Sequence, residues 1–218
     1  MNSSERFPRR ATAARATRRR VIVTASALFE ERGYTATSIM AIAEAAGVAE
    51  QTIYAAFGNK RTLLAEAVDQ AIAGDDERVV VNDRDWMRAV LDDPNATSAL
   101  RDYGRAVSKI HERAARIFHV LEVAAAGTPE LRELAQETLD RRRTGAAAVI
   151  GPMAERGDLR RDLKLDEAID VVWAMNGPDM YLNLVDKRHW TCERYGAWLG
   201  DAFVALLLVD CGTTLGDR

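Results

Sequence analysis

The chain has 218 residues and a net charge of −3, from 30 Lys and Arg against 33 Asp and Glu, but this charge is unevenly distributed. Residues 1–62 hold 10 basic and 5 acidic side chains, so this end suits a polyanion that the acidic remainder would repel. The two cysteines lie 19 positions apart, which excludes a disulfide framework and a Cys-based metal site. The last apolar run is far shorter than the roughly 20 residues of a membrane span, which excludes a membrane protein. We therefore expect a soluble, cytoplasmic protein.

The N-terminal part of the chain is predicted to hold a basic arm, one helix and a helix-turn-helix. Residues 1–16 are rich in Arg and lack an apolar stripe, which indicates a flexible arm. From Thr17 an apolar stripe at helical spacing runs to Gly33. Residues 33–64 then show two short amphipathic helices around a turn at Gly47, a spacing typical of a helix-turn-helix whose second helix enters the DNA major groove. Periodicity alone would fit an ordinary helical hairpin equally well.

The rest of the chain is predicted to be helical almost throughout. Residues 74–85 are too polar to bury and indicate a connection. Helix breaks are expected at Gly127-Thr128-Pro129 and at Gly177-Pro178, because proline begins a helix or interrupts one. No alternating apolar pattern is long enough for a strand. The pattern therefore predicts an all-α protein.

Residues in and around the helix-turn-helix carry a resemblance to a known family. They are Phe29, Gly33-Tyr34, Thr37-Ser38, Ile42-Ala43-Glu44-Ala45-Ala46-Gly47-Val48, Thr52-Ile53-Tyr54, Phe57, Asn59-Lys60 and Leu63-Leu64. Through them the sequence resembles the TetR family of transcriptional regulators over residues 17–68, and the remainder resembles that family only in being helical. The resemblance implies a three-helix DNA-binding domain followed by a larger helical ligand-binding and dimerisation domain. We expect the arm at 1–16, the first domain at 17–63 and the second at 64–212.

The same resemblance implies a set of residues that face DNA. They are Thr37, Ser38, Met40, Glu50, Gln51, Thr52, Tyr54 and Lys60. Within this set, the hydroxyls of Thr52 and Tyr54 are expected to reach phosphates. Thr37 is also placed to cap the first helix of the motif.

The recognition helix departs from the family pattern at three alanines. Ala49 stands where Ser often caps this helix, a loss of about 1 kcal/mol. Ala55 and Ala56 replace larger side chains that help to read or clamp DNA. We therefore expect base readout to depend on Gln51, which can pair with adenine, and on Glu50, which can accept a hydrogen bond from cytosine N4.

Candidates for a ligand pocket lie in the C-terminal part, although its aromatic members, taken singly, are better explained as core or interface. They are Tyr103, Phe118, Glu122, Trp173 and Asn176. His119 and Glu122 could share a metal ion, but a hydrogen-bonded pair or a solvated surface explains them better, and we predict no metal site. Because no nucleophile, base and orienting group occur together and no Gly-rich phosphate loop is present, we predict neither catalysis nor a cofactor.

The final helix carries a broad apolar stripe that is predicted to form a dimer interface. Its members are Tyr195, Trp198, Leu199, Phe203 and Leu206. With the preceding helix they could form a four-helix bundle across a two-fold axis, although the stripe could also complete the monomer core. We therefore predict a ligand-responsive transcriptional repressor that binds a palindromic operator in double-stranded DNA as a homodimer. The alternatives are a ligand-insensitive architectural DNA-binding protein and, less favoured, a helical small-molecule enzyme or carrier.

Overall fold

The computed structural model describes residues 3–74 and 84–208, with side chains from Thr12 onward. Apart from a single bridge between Leu159 and Leu208, the regular structure in these ranges is helical, which confirms the all-α prediction. The helices are α1 (Ser3–Arg32), α2 (Ile39–Ala46), α3 (Glu50–Phe57), α4 (Lys60–Ala73), α5 (Asp85–Asp92), α6 (Ala96–Gly127), α7 (Pro129–Arg156), α8 (Leu165–Met175), α9 (Pro178–Tyr181) with a π-helical continuation (Leu182–Asp186), and α10 (Cys192–Leu207). None of the described helices is long and apolar enough to cross a membrane.

Helix α1 is longer than the sequence predicted, because it begins at Ser3. Residues 3–16, predicted to be a flexible arm, are therefore helical. Ala and Arg are among the strongest helix formers, and the side chains from Thr12 to Ala16 are exposed. The missing apolar stripe therefore did not mean that this segment lacks regular structure.

One compact unit contains α1 to α4 together with residues 116–135 of α6 and α7. Its core includes Phe29, Ile42, Ile53 and Leu64, each less than 2% exposed. The turn between α2 and α3 has Gly47 at φ +65°, a left-handed conformation that glycine adopts without a steric penalty, as predicted. The predicted domain boundary after residue 63 falls inside α4, which packs against α1 as part of this unit.

The second unit contains α5, α8 to α10 and the remaining parts of α6 and α7. The predicted breaks are confirmed, since α7 begins at Pro129, and α8 ends before the Gly177-Pro178 pair that starts α9. Within this unit α6 and α10 approach closely at glycines: a Cβ added to Gly104 would lie 2.5 Å from the backbone nitrogen of Gly200. Most of the predicted connection at 74–85 and Cys211 lie outside the described residues.

Three residues of the predicted dimer interface belong to the core of this unit instead. Tyr195, Leu199 and Phe203 are each 0% exposed within the monomer. Only Trp198, which is half-buried, and Leu206, which is 43% exposed, remain accessible. The prediction is wrong for the three buried residues because Gly196 and Gly200 bring that side of α10 against α6.

Candidate DNA-binding surface

Helix α3, the second helix of the motif, has only two buried side chains, Ile53 and Phe57. The other six are exposed: Glu50, Gln51, Thr52, Tyr54, Ala55 and Ala56. Ala49 precedes the helix without any side-chain capping hydrogen bond, as predicted. An eight-residue helix that is held by two side chains and presents all its others to solvent has the form of a recognition helix.

The entry to α2 corrects the predicted role of Thr37. Ser38 is the capping residue, and its hydroxyl oxygen accepts a hydrogen bond from the Ala41 N–H at 3.0 Å. Thr37 is 1% exposed, and its hydroxyl lies 2.8 Å from the Gly33 carbonyl oxygen and 3.1 Å from that of Leu28. The side chain of Thr37 therefore fixes the loop between α1 and α2 from inside and presents no group to a surface ligand.

Lys60, at the start of α4, is also engaged within the protein. Its ammonium donates to the carbonyl oxygens of Tyr34 and Thr37, both at 2.9 Å, and lies 4.2 Å from the centre of the Tyr34 ring. Partial burial lowers the pKa of Lys60, and the nearby charge of Glu130 opposes that shift. Two of the three ammonium protons thus hold the α1–α2 loop against α4, so one is left for a phosphate.

Five of the eight residues predicted to face DNA line one open groove of about 420 Å³. They are Ser38, Met40, Glu50, Tyr54 and Lys60, and Ile39 and Asn59 complete the lining. Met40 and Tyr54 are 63% and 50% exposed, so this groove presents a thioether side chain and a phenol to solvent. Thr52 is not part of this groove and lines a second one together with the middle of α1, from Ala13 to Val21.

Two arginines of α1 brace the motif, a role that the sequence analysis did not assign. Arg18 donates to the Ala56 carbonyl oxygen at 2.7 Å, pairs with Glu66 and stacks 4.3 Å from the centre of the Phe57 ring. Arg20 donates to the Ala46 carbonyl oxygen at 2.9 Å. Both guanidinium groups satisfy carbonyls in the last turns of α3 and α2, where the helix dipole favours positive charge.

The candidate pocket residues divide between the two units. Phe118 and Glu122 belong to the first, whereas Tyr103, Trp173 and Asn176 belong to the second. In the second unit the Asn176 amide lies 3.4 Å from the Tyr103 hydroxyl, and Arg142 donates to the Trp173 carbonyl oxygen at 3.1 Å. Arg142 also donates to the Asn176 carbonyl oxygen and thereby joins Trp173 to the pair formed by Asn176 and Tyr103, so these three predicted residues meet in one polar cluster.

His111 belongs to the same cluster and was not selected from the sequence. It is 3% exposed, and its Nε2 lies 2.8 Å from Asn176 Oδ1. Burial lowers the pKa of His111 to about 4, with the hydrogen bond to Asn176 opposing the shift, so the ring is neutral at pH 7. Burial likewise raises the pKa of Tyr103 to about 12. The signal in the sequence was a histidine on an apolar helix face, which by itself does not identify a partner.

Comparison with known proteins places the motif in context. Residues 21–67 match the family model described as bacterial regulatory proteins, tetR family. Among solved structures, NalD of Pseudomonas aeruginosa, the secondary repressor of the MexAB-OprM multidrug efflux pump, is 23% identical, covers 89% of this chain and 98% of its own, and has a TM-score of 0.66. PfmR, a TetR family transcriptional regulator from Thermus thermophilus, is 22% identical over 85% and 97% of the two chains, with a TM-score of 0.65. SmeT in complex with triclosan is 20% identical over 93% and 99%, with a TM-score of 0.69.

These structural similarities extend over most of the chain, but at such identities they show the fold alone. No curated protein sequence matches the chain significantly.

Proposed function

We propose that this chain is a transcriptional repressor that binds a palindromic DNA duplex as a homodimer and responds to a small molecule, because residues 21–67 match the model of the tetR family of bacterial regulatory proteins. Proteins of this family are DNA-binding regulators rather than enzymes. The observation that carries the proposal is the presentation of α3, whose six exposed side chains stand beside a groove lined by five residues predicted to contact DNA.

Recognition would combine base contacts with phosphate contacts. The Gln51 amide can donate to N7 of adenine and accept from its N6 amino group, the bidentate arrangement that amides make, and Tyr54 offers a hydroxyl to the backbone. Residues 1–62 hold 10 basic and 5 acidic side chains, which favours approach to a polyanion. Glu50 opposes this attraction locally, so its carboxylate would be tolerated best opposite a cytosine amino group.

Selection of bound duplexes from a random pool tests this proposal directly, and a palindrome is the expected result. On the selected site, Gln51→Ala should lower affinity by about 1–3 kcal/mol and relax the preference at one base pair in each half-site. Gln136→Ala removes a glutamine of α7 that is also exposed, and it should leave binding unchanged. The proposed reading of DNA by α3 would be contradicted if no preferred duplex were recovered, or if Gln51→Ala bound the selected duplex as tightly as Gln136→Ala does.

A small-molecule response is supported by the polar cluster in the second unit and by a neighbour in fold that was solved with triclosan. Helix α7 contributes Arg142 to this cluster, and its first turn contacts α4: Arg61 donates to the Glu130 carbonyl oxygen at 2.9 Å and pairs with Glu133 at 3.3 Å. A ligand that displaced Arg142 would thus act on a helix that also contacts the DNA-binding domain. A compound that raises the melting temperature should also weaken DNA binding, whereas stabilisation without any change in DNA affinity would favour an architectural role.

The homodimer would use the outward side of α10 and the exposed part of α8. Trp198 and Leu206 remain from the predicted interface, and Leu165 of α8, which is 44% exposed, adds a further apolar side chain. Two subunits that pack through such a surface would be related by a two-fold axis, and their two α3 helices could then bind the two half-sites of a palindrome. Sedimentation at micromolar concentration should give a dimer, and a monomer would remove the basis for a symmetric operator.

A further inference from the structure

The exposed side of α3 has a defined outermost edge. Ile53 and Phe57 are 1% and 5% exposed and fix the inward direction of the helix. With 3.6 residues per turn, each residue advances by about 100°, so Gln51 and Ala55 lie on the side opposite to this pair. Both are exposed, and they are four positions apart, so they stand one above the other.

The two flanks of α3 are assigned independently by the grooves on either side of it. Glu50 and Tyr54 line the groove that α3 forms with α2 and the start of α4. Thr52 and Ala56 line the opposite groove, which α3 forms with α1. Gln51 and Ala55 line neither groove, which agrees with their position at the outermost edge.

The chemistry of this edge favours A·T base pairs. A glutamine amide pairs bidentately with adenine, and an alanine methyl group makes apolar contact with the C5-methyl group of thymine. Neither residue is an Arg or Lys, the side chains that most often read guanine. The small size of Ala55 also lets the helix approach the floor of the groove, so that the short Gln51 side chain can reach a base.

We infer that Ala55 is a specificity-determining residue that reads a thymine methyl group about two base pairs from the adenine read by Gln51. Four helical residues rise by about 6 Å, and neighbouring base pairs are about 3.4 Å apart, which sets this separation for a helix lying along the groove. The inference rests on the proposed function, since it requires that the chain binds a duplex through α3. The partner it specifies is a DNA duplex with A·T pairs at that spacing in each half-site.

Replacement of thymine by uracil tests the inference, because it removes only the C5-methyl group from the DNA. On the duplex obtained by selection, each thymine is replaced in turn, and the dissociation constant of the full-length protein is measured by fluorescence anisotropy. One thymine per half-site should be sensitive, with affinity falling about four-fold per site, as expected for one methyl group that loses its apolar contact. Tolerance of uracil at every position would overturn the inference while leaving duplex recognition intact.

Two matched variants assign the effect to Ala55. Ala55→Gly should bring the ratio of uracil to thymine dissociation constants at that position close to one, because the protein methyl group is gone. Ala56→Gly makes the same change one residue further along the same helix, with the same loss of helix propensity, and should keep the ratio of the parent. Since the ratio is taken within each variant, a general loss of helix stability does not alter it.

The outcomes separate this inference from the proposed function. A sensitive thymine whose effect disappears only in Ala55→Gly supports both. If Ala55→Gly keeps the parent's ratio of uracil to thymine dissociation constants, or if both variants give the same ratio, only the role of Ala55 is refuted. Failure to select any duplex refutes the proposed function and this inference with it.

Discussion

The glycine contact between α6 and α10 gives a prediction in which the sign of the effect depends on tertiary structure alone. A Cβ at Gly104 would lie 2.5 Å from the nitrogen and 2.7 Å from the Cα of Gly200, and 2.9 Å from the Gly196 carbonyl oxygen. Non-bonded carbon atoms pack best at about 3.5–4.0 Å, so the Gly104→Ala variant must separate the helices by about 1 Å. All three neighbours are backbone atoms, and no rotation of a side chain can relieve the contact.

The expected magnitude follows from two opposing contributions. Replacement of glycine by alanine inside a helix stabilises by about 0.5–1 kcal/mol, because less backbone entropy is lost on folding. Overpacking of a well-packed core costs about 1–3 kcal/mol, so Gly104→Ala should be destabilising overall. Gly145, inside α7, is the matched control, because a Cβ added there would meet no atom within 4 Å beyond the backbone of its own helix. Gly145→Ala should therefore stabilise the protein by about 0.5–1 kcal/mol.

Urea denaturation followed by far-ultraviolet circular dichroism measures both effects at one fixed protein concentration, because association would otherwise shift the midpoint. The urea concentration at the midpoint should fall for Gly104→Ala and rise for Gly145→Ala. The dependence of the unfolding free energy on urea concentration should change little in either variant. If Gly104→Ala were as stable as the control variant, α6 and α10 could not be in backbone contact, and the assignment of that side of α10 to the monomer core would have to be withdrawn.

Three further predictions concern residues whose surroundings are visible only in the structure. Thr37→Val should destabilise the protein by about 1–3 kcal/mol, because two carbonyls lose a buried hydroxyl donor. It should leave the salt dependence of DNA affinity unchanged, and a smaller salt dependence would mean that the hydroxyl contacts a phosphate. His111 has a folded-state pKa of about 4, below its ordinary value of 6.5, so the unfolded chain binds the proton first as the pH falls, and stability should be lost between pH 6.5 and 4 at up to about 1.4 kcal/mol per pH unit. His111→Gln should flatten that part of the stability profile, and an equally steep profile would assign the loss to other groups. Phe203→Asp should abolish folding, as seen by circular dichroism, whereas Leu206→Asp should keep the helical content and yield monomers on sedimentation; a folded Phe203→Asp monomer would restore Phe203 to the interface.

The DNA-binding motif could be predicted from the sequence because its signals are local. Ile42, Ala43 and Ala46 repeat at helical spacing, and Gly47 allows the left-handed turn at φ +65°. Likewise, the breaks at Pro129 and Pro178 follow from the missing N–H and the fixed φ of proline, which act whatever the surroundings are. Patterns of this kind determine where helices begin and end, and they determined the all-α class.

The choice of residues within the motif needed the folded chain. Thr37 and Ser38 are adjacent and have similar hydroxyls, and either could cap α2 by sequence alone. Only the packing of the α1–α2 loop shows that the Thr37 hydroxyl points to the carbonyls of Gly33 and Leu28, which leaves Ser38 to accept from Ala41. Lys60 was predicted to face DNA from the family resemblance, but the two carbonyls that it binds come from residues more than 20 positions away and are not visible in any local pattern.

Helical periodicity in the sequence identifies which faces of the helices are apolar, but what covers those faces follows from the packing of the folded chain. The stripe on α10 is equally suited to a partner subunit and to the core of its own chain, since both remove the same apolar area from water. The choice was made by the contact of Gly196 and Gly200 with α6, which lets the backbones approach and buries Tyr195, Leu199 and Phe203 within one chain. Burial of these side chains depends on helix α6, nearly one hundred residues earlier in the chain, and no local periodicity carries that information.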